Sequence, residues 1–225
     1  MMNRIAIYDM DKTITRRPTI VPFLFHAART HHPWRLLLVP LVGGAVCLYL
    51  LRLIDRTKLK TINHRLLLGG AMTAAKTQAL STSFAARTMQ TNVLPKALEQ
   101  IARDKAEGYR LVLATASYAF YVDGIGKVLG FDDVIGTKTK ADITGAILAK
   151  IDGENCYGPG KLRMVQAWMA QNGLNREDCT IRFYSDHVSD APAFEAADEA
   201  YAVNAHAPLA ALAHERGWTI LDWTR

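Results

Sequence analysis

Ile5-Ala6-Ile7-Tyr8-Asp9-Met10-Asp11-Lys12-Thr13 is an apolar run that stops abruptly at two aspartates. Residues 4–8 read as a strand. The two carboxylates follow at its carboxyl end, two residues apart, where an extended turn faces them to one side with the Met10 carbonyl between them. Like charges so placed repel, and the pair calls for a cation; magnesium, a hard ion preferring oxygen ligands, suits it. A solvated acidic turn would carry the same letters, but the position at a strand end argues for a site.

Outward from this strand the periodicities fall into two regimes. Residues 95–107 read as a helix with Pro95 in its first turn and Gly108 as its stop. Strands are predicted over 110–114, 133–137 and 180–184, with 199–203 as the last core strand. Helices are predicted over 118–129, 161–171, 191–197 and 208–216, and residues 142–147 suit a hairpin. Alternating strands and helices make an α/β domain with a doubly wound, mostly parallel sheet, whose chemistry sits at the carboxyl ends of the strands. Residues 14–92 show no strand alternation. They read as an inserted all-α cap of three or four helices over 20–29, 34–56, 58–68 and 75–89. The expected organisation is a catalytic core of residues 1–13 and 93–225 with a helical cap at 14–92.

Half of the 225 residues are hydrophobic, enough for a substantial core. The net charge of +6 is uneven: residues 14–92 hold eleven Lys or Arg and one acid, Asp55, so the insert is +10 and the remainder −4. A basic insert on a mildly acidic core suits an anionic partner or, more blandly, a solvated basic face. Cys47, Cys156 and Cys179 have no metal-ligand spacing and read as reduced thiols of a cytoplasmic protein. The short apolar start is no cleavable signal peptide, and the histidines show no pairing for zinc.

Three further strand ends carry matching chemistry in order. Thr115 follows 111–114, with Ser117 behind it, and hydroxyl and backbone N–H groups there suit phosphate oxygens, or serve as a simple helix cap. Lys161 follows Gly158-Pro159-Gly160 and starts a helix, where an ammonium neutralises a phosphoryl group or merely meets solvent. After 181–184 come Ser185-Asp186-His187-Val188-Ser189-Asp190, with two aspartates four apart. Each signal alone has a structural reading; four in register make coincidence a poor account.

Asp9-Met10-Asp11-Lys12-Thr13, Thr115, Lys161 and the Asp186/Asp190 pair together resemble the four-motif signature of the haloacid dehalogenase superfamily, over essentially the whole chain. The helical insert is similar to the cap of its phosphoserine-phosphatase-like branch. The resemblance implies a magnesium-dependent phosphomonoester hydrolase. Asp9 stands as nucleophile and Asp11 as general acid and base. Asp9, Asp186 and a backbone carbonyl, that of Met10 or alternatively of Asp11, stand as metal ligands. Thr115 and Lys161 hold phosphoryl oxygens, supported by Thr13, Ser117 and Asp190. Lys12 stands where glycine is usual, and Thr115 where the nearest phosphoserine phosphatases carry serine. A dehalogenase has no comparable need for a second carboxylate, so Asp11 favours phosphoryl over carbon chemistry.

Residues 36–51 are sixteen uncharged, mostly apolar residues containing Pro40 and Gly43-Gly44. As a helix they span about 24 Å, short of the roughly 30 Å hydrocarbon core of a bilayer. With Arg29, Trp34 and Arg35 before, and Arg52, Arg56 and Lys58 after, the stretch fits a bent helix in peripheral or monotopic contact with anionic phospholipid at the cytoplasmic face of the inner membrane. It equally fits a buried cap helix or a dimer interface. The pattern resembles the phosphatidylglycerophosphatase C branch of the superfamily, which implies a lipid head-group phosphate as substrate. A soluble phosphoserine-like ester is the alternative, and a non-enzymatic binding protein a remote one. Nucleic acid is not expected, because the basic residues flank an apolar run instead of interleaving with aromatics.

Overall fold

In chain order the computed structural model, which describes residues 2–224, contains β1 (Asn3–Tyr8), α1 (Ile20–His31), a 3-10 turn (Pro33–Leu38), α2 (Val39–Leu50), α3 (Arg56–Leu67), β2 (Ala71–Met72) and α4 (Ala74–Thr91). There follow α5 (Pro95–Ala106), β3 (Arg110–Tyr118), α6 (Ala119–Leu129), β4 (Asp133–Thr137), β5 (Thr139–Ala141), β6 (Ile147–Ile151) and α7 (Pro159–Gln171). The chain closes with β7 (Cys179–Ser185), α8 (Ala191–Glu195), β8 (Glu199–Val203), α9 (Ala207–Arg216) and β9 (Thr219–Leu221).

Six parallel strands form one sheet in the order β4-β3-β1-β7-β8-β9. β1 lies at its centre, with Ile7 opposite Val112 on one side and Phe183 on the other. Alternate residues of β1 serve two cores: Ile5 and Ile7 pack with Val165 and Phe194, whereas Ala6 and Tyr8 pack with Leu94 and Phe131. Burial on both faces is why the strand reads as a continuous apolar run. From β1 the chain builds outward through β3 and β4, then returns to build the other side through β7. The crevice at the carboxyl ends of β1, β3 and β7 is therefore a topological switch point.

Three elements differ from the sequence reading. β9 extends the sheet beyond β8, which was expected to be last; its three residues are too few to show a period. The two-residue β2 lies within the insert and pairs with β6, which pairs with β5, so the 142–147 hairpin joins the cap in a three-stranded antiparallel sheet. The helix expected over 34–56 is divided. Pro33 and Pro40 each open a new turn, where a missing N–H is harmless. The chain then reverses at Arg52, in the left-handed region with φ 59°. Asp55 caps α3 by accepting from the Lys58 N–H at 2.7 Å. Gly43 and Gly44 stay helical inside α2.

The insert leaves and re-enters the core through adjacent segments. Thr15 bridges Val93, the Arg16 N–H donates to the Asn92 carbonyl at 2.8 Å, and the Leu94 N–H to the Ile14 carbonyl at 2.9 Å. It then seats on α6. Phe23 of α1 stacks on Tyr121 at 4.1 Å and meets Phe84 of α4 edge-on. Ser81 of α4 donates to the Tyr121 carbonyl at 3.1 Å and accepts from the Gly124 N–H at 3.2 Å. Backbones this close require glycine: a Cβ at position 124 would lie 2.4 Å from Ser81 Oγ and 2.8 Å from its carbonyl oxygen. Gly→Ala inside an open helix gains roughly 1 kcal/mol, but Gly124→Ala is expected to lose about 1–3 kcal/mol through overpacking. Urea denaturation checks the sign.

His64 of α3 is buried against Tyr118 and Phe120, with rings 5.3 and 5.9 Å away. Burial holds its imidazole down to about 4. An unfolded histidine takes its proton near pH 6.5, so between about 6.5 and 4 the unfolded chain binds more protons and stability is lost as the pH is lowered. At about 1.4 kcal/mol per pH unit, His64 accounts for up to roughly 3 kcal/mol of acid destabilisation. His64→Met should flatten the dependence of the urea midpoint on pH between 7 and 5 relative to the unaltered protein.

Candidate active site

Asp9 leaves β1 with its N–H donating to the Tyr184 carbonyl at 2.8 Å, which fixes it beside β7. Lys161, in the first turn of α7, places its ammonium 2.7 Å from Asp9 Oδ1 and 2.5 Å from Asp190 Oδ2. It is only 2% exposed. Burial alone would drive a lysine to shed its proton, but Asp190 and Asp9 outweigh that and hold the ammonium well above the usual range. Ser185 Oγ donates to the same Asp190 oxygen at 2.7 Å, while Asp190 Oδ1 is buried with no hydrogen-bond partner. The Thr13 hydroxyl lies behind Asp9, 3.3 Å from Oδ2.

Negative charge exceeds what one ammonium can balance. Burial first, then Asp190 and Asp186, push Asp9 up to about 7 against the pull of Lys161. Burial likewise pushes Asp186 up to about 6, with Lys12 and Lys161 opposing. Two crowded, desolvated carboxylates facing one crevice fit a hard divalent cation. Among the described residues no group of three or more His, Cys, Asp and Glu side chains forms a metal cluster, and the further oxygen ligand expected from sequence is a backbone carbonyl. The Met10 carbonyl, one of the two oxygens considered from sequence, does not suit: it accepts from the N–H groups of Ile14 and Thr15, both at 3.0 Å, with the Thr15 hydroxyl at 3.1 Å. Those bonds occupy both lone pairs, leaving the Asp11 carbonyl as the alternative.

The Asp11 side chain turns toward the cap. Its Oδ1 accepts from the N–H and hydroxyl of Thr19, each at 2.8 Å, and its Oδ2 from Ser117 Oγ at 3.0 Å. Burial raises its pKa, opposed by the Thr19 and Ser117 hydrogen bonds. Raised affinity for a proton suits a group that must deliver one. Thr115 is buried within β3, its Oγ1 accepting from the Ser117 N–H at 3.1 Å.

A cavity of about 410 Å³ opens over these groups, and Asp9, Asp11, Thr115, Lys161, Asp186 and Asp190 all face it. Ser117 does too, with Lys12 and His187 at its rim. Of the six cap residues singled out from sequence only Arg56 reaches it, with its guanidinium 4.2 Å over the Tyr157 ring. Arg35 instead clamps the cap, donating to the carbonyls of Arg65 and Leu66 at 3.0 and 2.8 Å. Its guanidinium lies 4.8 Å from the exposed Trp34 ring. Arg29, Arg52 and Lys58 are exposed outside the cavity.

Sequence reasoning missed Thr19 and Lys60. Thr19 stands immediately before α1 and reads as an ordinary helix cap, but its hydroxyl goes to Asp11. Lys60 of α3 enters the cavity from the cap and donates to the Ala116 carbonyl and, at 2.6 Å, to Asn155 Oδ1. Burial and Arg56 push its pKa down to about 8. No local signal separates Lys60 from the exposed lysine two residues earlier.

Removing one partner from a buried ion pair costs about 3–5 kcal/mol, because the other charge stays buried. Lys161→Met is expected to lose that much in urea denaturation, and Lys161→Met/Asp190→Asn to lose less than the single variant.

Comparison with known proteins adds independent observations. The model of a family described as haloacid dehalogenase-like hydrolase matches residues 6–195. Phosphoserine phosphatase SerB1 of Mycobacterium tuberculosis is 34% identical over 116 residues, 52% of this chain and 37% of that protein. The matched region thus spans well under half of SerB1. A protein of unknown function from Bordetella pertussis Tohama I superposes with a TM-score of 0.87 at 23% identity, covering 99% of this chain and 100% of the other. A phospho-aspartyl intermediate analogue of phosphoserine phosphatase superposes with a TM-score of 0.62 at 17% identity, covering 100% and 95%. At these identities the two structures show a common fold.

Proposed function

Because this chain belongs to the haloacid dehalogenase-like hydrolase family, we propose that it is a phosphomonoester hydrolase working through an aspartyl-phosphate on Asp9, with a lipid head-group phosphate as its substrate. The carboxylates of Asp9 and Asp186 and the Asp11 carbonyl would hold magnesium. When bound, the ion neutralises charge on the phosphoryl group that would otherwise repel an anionic nucleophile. Lys161 and Thr115 hold the remaining phosphoryl oxygens. An Asp9 carboxylate oxygen attacks phosphorus, the ester P–O bond breaks, and the leaving alkoxide takes the proton of Asp11. Asp11, now a carboxylate, takes a proton from the water that attacks the aspartyl-phosphate. Inorganic phosphate leaves, Asp9 is regenerated, and Asp11 regains its proton.

The observation that carries the substrate reading is the double role of α2. Its Val46 and Tyr49 wall the cavity, together with Ile20, Leu24 and Leu59. Elsewhere along it apolar side chains stand in solvent: Leu41 is 58% exposed and Leu50 71%, with Leu37 at 80% in the turn before it and Leu53 at 68% in the turn after. Residues 36–51 are therefore not a buried cap helix within the monomer. An acyl chain leaving the cavity would continue along the surface that α2 presents to lipid, and Arg29, Arg52, Arg56 and Lys58 supply the positive charge that anionic head groups attract. The extended apolar stretch Pro33–Leu50 is long and apolar enough to cross a membrane by composition alone. It is, however, divided between a 3-10 turn (Pro33–Leu38) and α2, whose 12 residues span about 18 Å, short of the roughly 30 Å hydrocarbon core, and contact from one face is preferred. A soluble phosphoserine-like ester is the second reading, favoured by the name of the SerB1 relative.

Phosphate release with magnesium from phosphatidylglycerophosphate in mixed micelles and from phosphoserine separates the two, with Asp9→Asn as the blank. Release from the lipid at least tenfold faster than from phosphoserine is expected, and the reverse order removes the lipid reading and leaves α2 a packing or dimer helix. Asp9→Asn is expected to lower release at least about a thousandfold. Activity surviving that substitution overturns the mechanism.

A further inference from the structure

Lys60 is a part-buried ammonium with no carboxylate at ion-pair distance among the described residues, and both of its hydrogen-bond partners belong to the core. One is the carbonyl of Ala116, the residue between Thr115 and Ser117; the other is Asn155 Oδ1. These acceptors form a preorganised seat. The Thr137 hydroxyl lies 2.8 Å from each of them, and itself accepts from the Cys156 N–H at 3.2 Å. A partly desolvated ammonium met by two neutral oxygens and the Tyr118 ring, 5.7 Å away, gives up solvation with no ion-pair partner to replace it.

We propose that Lys60 is a positioning residue through which the seated cap sets the 115–117 loop. By gripping the Ala116 carbonyl it fixes the orientation of the Ala116–Ser117 peptide, and with it the Ser117 side chain that donates to Asp11 and the Thr115 hydroxyl that accepts from the Ser117 N–H. The core can form this loop without the cap, because Thr137 already donates there, but a neutral hydroxyl divided between two acceptors holds it less firmly than a charged donor. Lys60 sits on α3, which packs against α1 and α2, so the loop feels whether the cap is seated. The cap thereby acts on chemistry as well as on access. The turnover part of the test rests on the phosphatase reading; the loop's rigidity does not.

Lys60→Met, Lys60→Arg and Asn155→Ala, with Arg65→Met as an exposed control on the same helix, are compared in two measurements. The first is magnesium-dependent turnover of para-nitrophenyl phosphate, which is too small to need the apolar wall. The second is amide hydrogen exchange at residues 115–118. Lys60→Met is expected to lower kcat at least tenfold with KM within twofold. It should also speed exchange of these amides at least tenfold, while the melting temperature stays near that of the control. Lys60→Arg should recover most of both losses, and Asn155→Ala should move both in the same direction as Lys60→Met. Unchanged exchange in Lys60→Met overturns the proposal whatever the turnover, as does a loss confined to KM. Faster exchange in a protein that hydrolyses no monoester supports the positioning and removes the phosphatase reading instead.

Discussion

The ammonium of Lys161 between Asp9 and Asp190 is the constraint on which the rest of the site depends. Three chain segments far apart in sequence must converge to within hydrogen-bond distance of one nitrogen. β1 and β7 have to be neighbours in the correct register, α7 has to begin where its first turn points at their carboxyl ends, and the loop after β7 has to fold back. At 2% exposure the charge has no water to fall back on, so misplacing any segment leaves a buried ion unpaired. The start of α7 answers this demand locally. Gly158 adopts φ 57°, Pro159 opens the helix, and Gly160 lies so near the Asn155 carbonyl that a Cβ would approach to 2.7 Å.

The same loop of carboxylates explains an unusual backbone. Lys12 adopts φ 66°, a left-handed conformation that costs a side-chain-bearing residue roughly 1–2 kcal/mol. The sequence reading flagged this position because glycine is usual there. Here the conformation is supported by the Asn204 side chain, which donates to the Lys12 carbonyl at 2.9 Å, and by the Lys12 N–H, which donates to Thr15 Oγ1 at 3.3 Å. The lysine in turn brings a positive charge to the cavity rim, where it opposes the rise in the Asp186 pKa.

Core and cap divide the work by chemistry. The core supplies rigid strand ends with carboxylates, a lysine and hydroxyls, all suited to one phosphoryl group. The cap supplies an apolar wall and basic residues, and it contacts the core through few polar atoms. Two of those matter most: Thr19, which holds Asp11 from the start of α1, and Lys60, which holds Ala116 from α3. Both lie on segments entering or crossing the insert, so Asp11 and the 115–117 loop are organised partly by the insert.

How far sequence reaches is set by the range of the interaction. Alternation along residues 4–8 and 110–114, Pro95 opening a helix, Gly108 and Gly130 closing two, and aspartates placed just past strands are local patterns. They determined the parallel core, the helical insert and the residues gathered around Asp9. Boundaries shifted where no local signal exists. β3 runs on to Tyr118 because its register with β4 shifts beyond Thr115, and β9 is a strand only because β8 offers an edge. The Met10 carbonyl, attractive in a string of letters, is spent on Ile14 and Thr15 once the loop closes. Only the tertiary structure decided that α2 is exposed, that Thr19 serves Asp11 and that Lys60, not Lys58, enters the cavity. Each depends on which helix face meets a partner distant in sequence, and helical periodicity by itself does not specify that partner.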